Sequence, residues 1–344
     1  MRRCLLAFLF CAASLYAGET FTAESPPTAS QRLSVQGNQL LFAGKPIRLR
    51  GVAVGDPIQS RQDRPAADDY ATIRRDWHAN VVRIAIHPMY WKTLPHDQVL
   101  ARLAEDVDAA LAAGLFVIIE YKVIGWPDGR FEVPTWGGPE VADIYNSSFA
   151  LATSFWDAVA AKYSADGRVL FELWNEAIYS KEDWRPEIGQ KWAELKPYHE
   201  KLLAVVRKHG DNVVIVSSNE WSHRLTGVKH DLLAGENVAY AWHIYAGHGQ
   251  NDPQNWAAAL DDLQTVAPVI VTEWGFQANT DRHYKGGVKE FAEPFVRDFL
   301  EAKQLHSTAW CWHPVSGPPM LESDWRTPNE FGKFVRDYLT KHNP

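Results

Sequence analysis

The chain has 344 residues and a formal net charge of −7, with no block of lysine or arginine. That acidic balance excludes nucleic acid as an expected partner, and the length suits one large barrel or two small domains. Of the three cysteines, Cys4 and Cys11 fall in a leader segment, so only Cys311 remains and no internal disulfide can form.

Met1-Arg2-Arg3 and the apolar run Cys4 to Ala17 have the basic start, short hydrophobic core and small terminal residues of a secretory signal peptide. The run is too short to span a bilayer, and no later stretch is long and apolar enough, so no membrane association is expected. The reading assigns residues 1–17 to a cleaved leader, 18–31 to a flexible lead-in rich in Pro, Ser and Thr, and 32–344 to one domain. Loss of Arg2 and Arg3 takes the formal charge from −7 to −9. The mature protein is expected in the periplasm or outside the cell, as a monomer. Its fifteen tryptophans exceed what a core of this size needs, and the surplus is expected on a working surface.

Leu33-Ser34-Val35 and Leu40-Leu41-Phe42, joined around Gln36-Gly37-Asn38, read as a hairpin placed to plug the bottom of the main fold. After it, short β-type runs alternate with longer helical patterns, the signature of parallel βαβ units. Strands are expected at Ile47–Val54, Val81–Ile86, Leu115–Glu120, Val169–Trp174, Val213–Ser217, Val238–His243, Val269–Glu273 and Ser307–Trp312. Helical patterns between them include Asp97–Ala113, Ser147–Lys162, Pro186–His209 and Gly287–Gln304. Eight such strands make a (β/α)8 TIM barrel. A doubly wound sheet would want fewer strands and a glycine-rich phosphate turn after the first; Gly51-Val52-Ala53-Val54-Gly55-Asp56 lacks the G-x-G-x-x-G spacing.

In such a barrel the active-site groups stand at the C-terminal strand ends. Read in order, those ends offer Arg83; Glu120 and Lys122; Asn175 and Glu176; Asn219 and Glu220; His243 and Tyr245; Glu273; Trp310 and Trp312. Glu176 and Glu273 are 97 residues apart, close to the roughly 94 that three units of ~31 residues require, so both can reach one mouth. Cleavage of a glycosidic bond with retained stereochemistry needs two carboxyl groups ~5 to 5.5 Å apart, one nucleophile and one acid/base. The nucleophile must stay ionised, and Arg83 with Tyr245 can lower its pKa. An apolar setting beside Trp174 suits Glu176 to the protonated role.

Asn175-Glu176 closing the fourth strand, His243-Ile244-Tyr245 on the sixth, Glu273-Trp274-Gly275 on the seventh and Trp310-Cys311-Trp312-His313-Pro314 on the eighth form an ordered set. That set resembles glycoside hydrolase family 5, the cellulase family of the clan A retaining β-glycosidases. Arg83 in Asn80-Val81-Val82-Arg83-Ile84 matches the family's strand-2 arginine, and Ser316-Gly317 through Glu322-Ser323-Asp324-Trp325 is similar to the end of its endoglucanases. The resemblance implies Glu176 as general acid/base and Glu273 as nucleophile. It also implies Asn175 on the sugar 2-hydroxyl, Arg83 and Tyr245 holding the nucleophile, His243 near the acid/base and Trp310 as the floor of the cleaved subsite. No metal and no organic cofactor is implied. The implied substrate is a β-linked polysaccharide, in the first place β-1,4-glucan cut at internal linkages, with β-mannan or a bacterial exopolysaccharide as the alternative. A carbohydrate-binding barrel without catalysis is the alternative of another class.

Two departures bear on the substrate. Where the family ends strand 3 with an Asp-x-His-like pattern, this chain reads Glu120-Tyr121-Lys122, a flexible cation in place of a neutral ring. Lys122 can serve an acidic or substituted sugar, pair with Glu120, or be a plain surface residue. Asn175-Glu176-Ala177 replaces the commoner Asn-Glu-Pro.

Taken singly, these residues have plainer readings. A glutamate after an apolar run is ordinarily a helix-cap neighbour or a surface charge. Glu120 and Glu172, deeper on their strands, suit a structural ion pair, while Glu220, beside Trp221, competes for a binding role. His243 and His248 could suggest a metal, but no third ligand has helpful spacing. Trp126, Trp136, Trp184 and Trp221, in loops, are candidate sugar platforms; Trp77, Trp156 and Trp256 sit on helical patterns and belong in the core. The absence of a G-x-S-x-G turn sets an acyl hydrolase aside.

Overall fold

The computed structural model describes residues 31–61, 64–129, 143–179, 191–247, 252–278 and 283–343. The expected leader, nearly all of the lead-in, Trp136, Trp184 and His248 lie outside these residues.

Strands β1 (Leu33–Gln36) and β2 (Gln39–Phe42) form the expected hairpin, and β3 (Lys45–Pro46) adds a third antiparallel strand. Gln36 pairs with Gln39, which leaves Gly37-Asn38 as a two-residue turn. Gly37 sits at φ 59°, where the missing Cβ removes the usual penalty. Leu33 and Leu40, with Val35 and Phe42, pack against Val81, Ile118, Leu170, Ile215 and Ile270 of the barrel interior, so the hairpin is a plug held by apolar burial.

Eight parallel strands then close on themselves: β4 (Arg50–Val54), β5 (Val81–Ile86), β6 (Phe116–Tyr121), β7 (Val169–Glu172), β8 (Val214–Val216), β9 (Val238–Tyr245), β10 (Val269–Gly275) and β11 (His306–Trp312). This is the (β/α)8 TIM barrel that the strand count required. Gly51 lets β4 lie against β5, since a Cβ there would stand 1.7 Å from the Val81 carbonyl oxygen.

Two boundaries shift for physical reasons. β4 starts at Arg50 rather than Ile47 because Ile47 and Leu49 pack into the plug and Leu49 N–H donates to His306 Nδ1. β7 ends at Glu172 because the chain beyond Leu173 leaves the ladder toward the mouth, where Glu176 N–H donates to the Val123 carbonyl.

Helices Ala66–Arg75, His96–Ala112, Phe149–Tyr163, Trp192–Arg207, Pro253–Leu260 and Glu330–His342 coat the barrel. The segment read as Gly287–Gln304 is largely π-helical, over Val288–Ala292 and Phe295–Glu301. Trp91, Trp126, Trp156, Trp174, Trp242, Trp256 and Trp274 are fully buried, most of them between barrel and helices. The tryptophan surplus therefore goes mainly into the core, which corrects the expectation of a working surface. An indole burying ~150–250 Å² contributes roughly 4 to 6 kcal/mol at ~25 cal/mol per Å², which is why such rings anchor the helical layer.

Candidate active site

Arg83, on β5, is wholly buried and organises the site. Its Nε and Nη2 hold Glu172 at 2.6 and 3.0 Å, Nη2 lies 3.0 Å from Glu120 Oε1 and donates to Asn175 Oδ1 at 2.8 Å, and Nη1 donates to Glu273 Oε1 at 2.7 Å. Burial alone would lower its pKa, but Glu120, Glu172 and Glu273 hold it well above its ordinary value. Glu120 and Glu172 are thus the structural ion pairs that their depth on the strands implied. Asn175 spends its carbonyl on Arg83, and its buried Nδ2 has no hydrogen-bond partner among the described residues. One amide donor of the site is thus left unspent.

Glu273, on β10, receives three donors. Lys122 Nζ reaches Oε1 at 2.5 Å beside Arg83, and the Tyr245 hydroxyl donates to Oε2 at 2.5 Å. Burial pushes the carboxyl up, yet the Lys122 ammonium and the Arg83 guanidinium more than reverse this and hold Glu273 well below the usual carboxylate range. Tyr245, raised well above its ordinary value by burial and then by the Glu273 charge, stays a donor.

Glu176 is placed in the opposite condition. Burial raises its pKa well above the ordinary value, and the negative charge on Glu273 adds to that. Its Oε1 lies 2.9 Å from His243 Nδ1, while His243 Nε2 lies 3.0 Å from Thr272 Oγ1. Burial drives the imidazole pKa well below its ordinary value, so His243 is neutral. Donor atoms of Glu176, His243 and Glu273 all fall within 4.8 Å of one another. One mouth therefore carries two neighbouring carboxyls driven in opposite directions, Glu176 toward the protonated form and Glu273 toward the ionised one. Trp174 does not create that difference: its ring is fully buried in the layer with Tyr121, and its Nε1 donates to the Gly125 carbonyl.

Trp310 walls the site with Tyr245, and its Nε1 donates to the Gly317 carbonyl at 3.0 Å. Lys122 Nζ sits 3.7 Å from the Trp310 ring centroid and 3.3 Å from Glu120 Oε1. Lys122 is 5 % exposed, which overturns its reading as a surface residue.

Other expectations are corrected. Trp312 packs edge-on against Trp77 at 4.6 Å, in a different cluster from Trp310, because the β11–β4 register shifts between Ala309 and Trp312 and Trp310 and Trp312 no longer share a face. Glu220 is buried and bound by Arg224 Nε at 3.1 Å, a structural pairing in place of the expected sugar contact. Trp126 is buried against Tyr179 and is no platform, whereas Trp221 is partly exposed and packs on Ile124 and Ile178 with Tyr145. Trp77 is in the core but lies just past the end of its helix at Arg75.

Three residues escaped the sequence reading. Thr272 meets His243 because β10 carries a register shift between Val271 and Glu273; plain alternation would turn it away. Ser222 ends a turn in which Glu220, Trp221 and Ser222 all have left-handed φ, at 58°, 54° and 59°. From there its Oγ donates to the Asn175 carbonyl at 2.8 Å and its carbonyl accepts from His243 N–H at 2.9 Å, which ties the loop to both sides of the site. Tyr284 packs edge-on against Tyr245 at 5.0 Å. No local pattern marks any of the three.

Glu176, His243 and Glu273 could offer one ligand atom each to a cation. Glu273 Oε1 is already shared by two cationic donors, and a metal ion there would face both positive charges.

Residues 41–316 match the family model described as Cellulase (glycosyl hydrolase family 5). The chain belongs to glycoside hydrolase family 5. This family 5 chain is 28% identical over 270 residues to Endoglucanase A of Evansella cellulosilytica, covering 78% of this chain and 49% of that protein. It is 27% identical over 336 residues to Endoglucanase N of Pectobacterium atrosepticum, covering 92% and 67%. The chain thus spans between half and two thirds of the length of these curated relatives. Among solved structures, a β-glucanase from Saccharophagus degradans superposes with a TM-score of 0.82 at 23% identity, covering 96% of this chain and 98% of that one. The catalytic domain of an endoglucanase from Thermobifida fusca gives 0.67 at 22%, covering 90% and 98%. These two likenesses concern the fold. Among the described residues no helix is long and apolar enough to cross a membrane.

Proposed function

We propose that this family 5 chain is a secreted, retaining β-glycoside hydrolase that cuts internal linkages of β-1,4-glucan. The observation that carries the reading is the opposed condition of two neighbouring carboxyls: Glu273 held ionised by Lys122, Arg83 and Tyr245, Glu176 held protonated, with oxygens within 4.8 Å. That separation suits the double displacement, whose two carboxyls stand ~5 to 5.5 Å apart, rather than the wider pair of an inverting reaction. In the first half, a Glu273 oxygen bonds to the sugar C1 as the C1–O bond to the leaving chain breaks, and Glu176 gives its proton to that oxygen. In the second half Glu176, now ionised, takes a proton from water, the water oxygen bonds to C1, and Glu273 leaves as a carboxylate. In this reading the unspent Asn175 Nδ2 donates to the sugar in the cleaved subsite and Trp310 forms its floor, which the unpartnered amide and the Trp310 ring beside Tyr245 support.

The charge balance favours a neutral sugar. Around the site the carboxylates Glu120, Glu172 and Glu273 stand against the cations Arg83 and Lys122, and Lys122 is already committed to Glu273. A uronate would add a further anion, and the two cations of this cluster, Arg83 and Lys122, are both engaged by carboxylates, so the acidic-sugar role for Lys122 loses its basis. A β-glucanase that superposes on this chain was crystallised with cellotetraose, and the relatives carry endoglucanase names, both of which support β-glucan over β-mannan.

The test is a panel of purified neutral and acidic glycans with reducing-sugar readout and proton NMR of the first product. Hydrolysis of β-1,4-glucan with the β-anomer formed first supports the reading. Sole activity on a mannan or an acidic glycan overturns the substrate, and an α-anomer overturns the mechanism.

A further inference from the structure

Lys122 and Arg83 both donate to Glu273 Oε1, but they are not equally secured. Arg83 has a second anchor in Glu172, held through two nitrogens at 2.6 and 3.0 Å. Among the described residues Lys122 has ion pairs with Glu273, at 2.5 Å, and Glu120, at 3.3 Å. When Glu273 becomes an ester its charge is gone, and a buried ammonium would be stranded. Leaving one partner of a buried pair without its counter-charge is the costly event in such clusters.

Glu120 is the group placed to meet that need. It lies on β6 two residues before Lys122, which follows the end of that strand, and is wholly buried, and neither carboxylate oxygen makes a hydrogen bond among the described residues. In the free protein its ionic contacts are with Arg83 Nη2 at 3.0 Å and the Lys122 ammonium. Glu120 pairs with Arg83, but Glu172 already holds that guanidinium through two nitrogens, so the pairing with Arg83 alone leaves the desolvation cost of this enclosed acid only partly offset.

We propose that Lys122 is a two-position counter-ion: it pins the Glu273 carboxylate in the free enzyme and passes to Glu120 while Glu273 is esterified by the sugar. Glu120 is then a positioning residue whose charge stabilises the covalent intermediate, and Lys122 returns to Glu273 as the ester breaks. The shift is small, since Nζ already stands 3.3 Å from Glu120 Oε1, and the Trp310 face, 3.7 Å away, supports the ammonium throughout. This inference rests on Glu273 being the nucleophile of a retaining reaction.

The two residues then act with opposite sign on deglycosylation. Glu120→Gln destabilises the intermediate, so the ester breaks faster; Lys122→Met removes the cation that draws Glu273 out as a leaving group, so the ester breaks more slowly. The probe is an activated 2-deoxy-2-fluoro-β-cellobioside, which traps the glycosyl-enzyme, followed by reactivation after excess probe is removed and by peptide mass spectrometry of the label. Reactivation is expected roughly tenfold faster in Glu120→Gln and roughly tenfold slower in Lys122→Met than in the unsubstituted protein. General damage to the site would slow both. Equal or slower reactivation of a folded Glu120→Gln variant overturns the proposal. If that variant does not fold, Lys122→Met alone decides, and unchanged reactivation overturns it. Absence of label on Glu273 in the unsubstituted protein overturns the nucleophile assignment itself and is distinguishable from either rate outcome.

Discussion

His243 Nδ1 lies 2.9 Å from Glu176 Oε1, and its Nε2 lies 3.0 Å from Thr272 Oγ1. A neutral imidazole has one proton for these two contacts, and the threonine hydroxyl can either accept or donate. With Glu176 protonated, its hydroxyl donates to Nδ1 and Nε2–H donates to Thr272. With Glu176 ionised, Nδ1–H donates to it and Thr272 donates to Nε2. Both states of Glu176 therefore keep a hydrogen bond, as the acid/base role proposed for it requires.

Replacing the carboxyls separates their roles. Glu273→Gln is expected to lower kcat on polysaccharide by about 10⁴-fold or more, because no nucleophile remains. Glu176→Gln is expected to cost about 10² to 10⁴-fold on polysaccharide, and less in the first step on an aryl glycoside whose leaving group needs no proton. Initial rates and burst phases on both substrate types, with circular dichroism confirming the fold, check this.

The pH dependence follows from the same two groups. Activity requires Glu273 ionised, so the acid limb lies at the depressed Glu273 pKa; it requires Glu176 protonated, so the alkaline limb lies at the raised Glu176 pKa. The positive charge of Lys122 lowers both. Lys122→Met is therefore expected to move both limbs of kcat/KM to higher pH, by about one unit each. Downward movement of either limb contradicts the assignment of Lys122 as the counter-ion.

Glu176 should also limit stability. Its folded pKa is above the ordinary carboxyl value that it regains on unfolding. Between those values the folded state binds more protons than the unfolded one, so stability falls as pH rises through that window. Glu176→Gln removes this loss. Calorimetry is expected to show a gain in Tm of about 3 °C near pH 8 and a smaller one near pH 4.5.

Trp312 provides the contrast. Packed against Trp77 in a different cluster from Trp310, it is expected to matter for folding alone. Trp312→Ala should destabilise by about 3 to 5 kcal/mol in urea titrations, with KM for a soluble β-glucan unchanged. A raised KM with unchanged stability would restore its binding role.

Much of this architecture was legible along the chain. Buried parallel strands read as continuous apolar runs, and their spacing is a property of the unit that repeats. The plug was legible as well, since a glycine between alternating runs marks a turn. Less legible were the places where the period breaks. The register shifts at Val271/Glu273 and Ala309/Trp312 turned Thr272 toward the site and Trp312 away from Trp310, and alternation predicts neither. Trp126 was likewise read as a platform because it follows a strand, whereas the loop folds it under Tyr179.

By itself the sequence determined the barrel, the delivery of Glu176 and Glu273 to one mouth, and the company of Arg83, Asn175, His243 and Tyr245, because periodicity and spacing are local properties that survive without coordinates. Only the tertiary structure decided the meaning of Lys122. Whether that ammonium faces solvent, a sugar acid or Glu273 depends on what surrounds its last few ångströms. Coulomb energy and desolvation vary steeply over that distance, and two of the partners, Glu273 and Trp310, come from β10 and β11, far away in the chain.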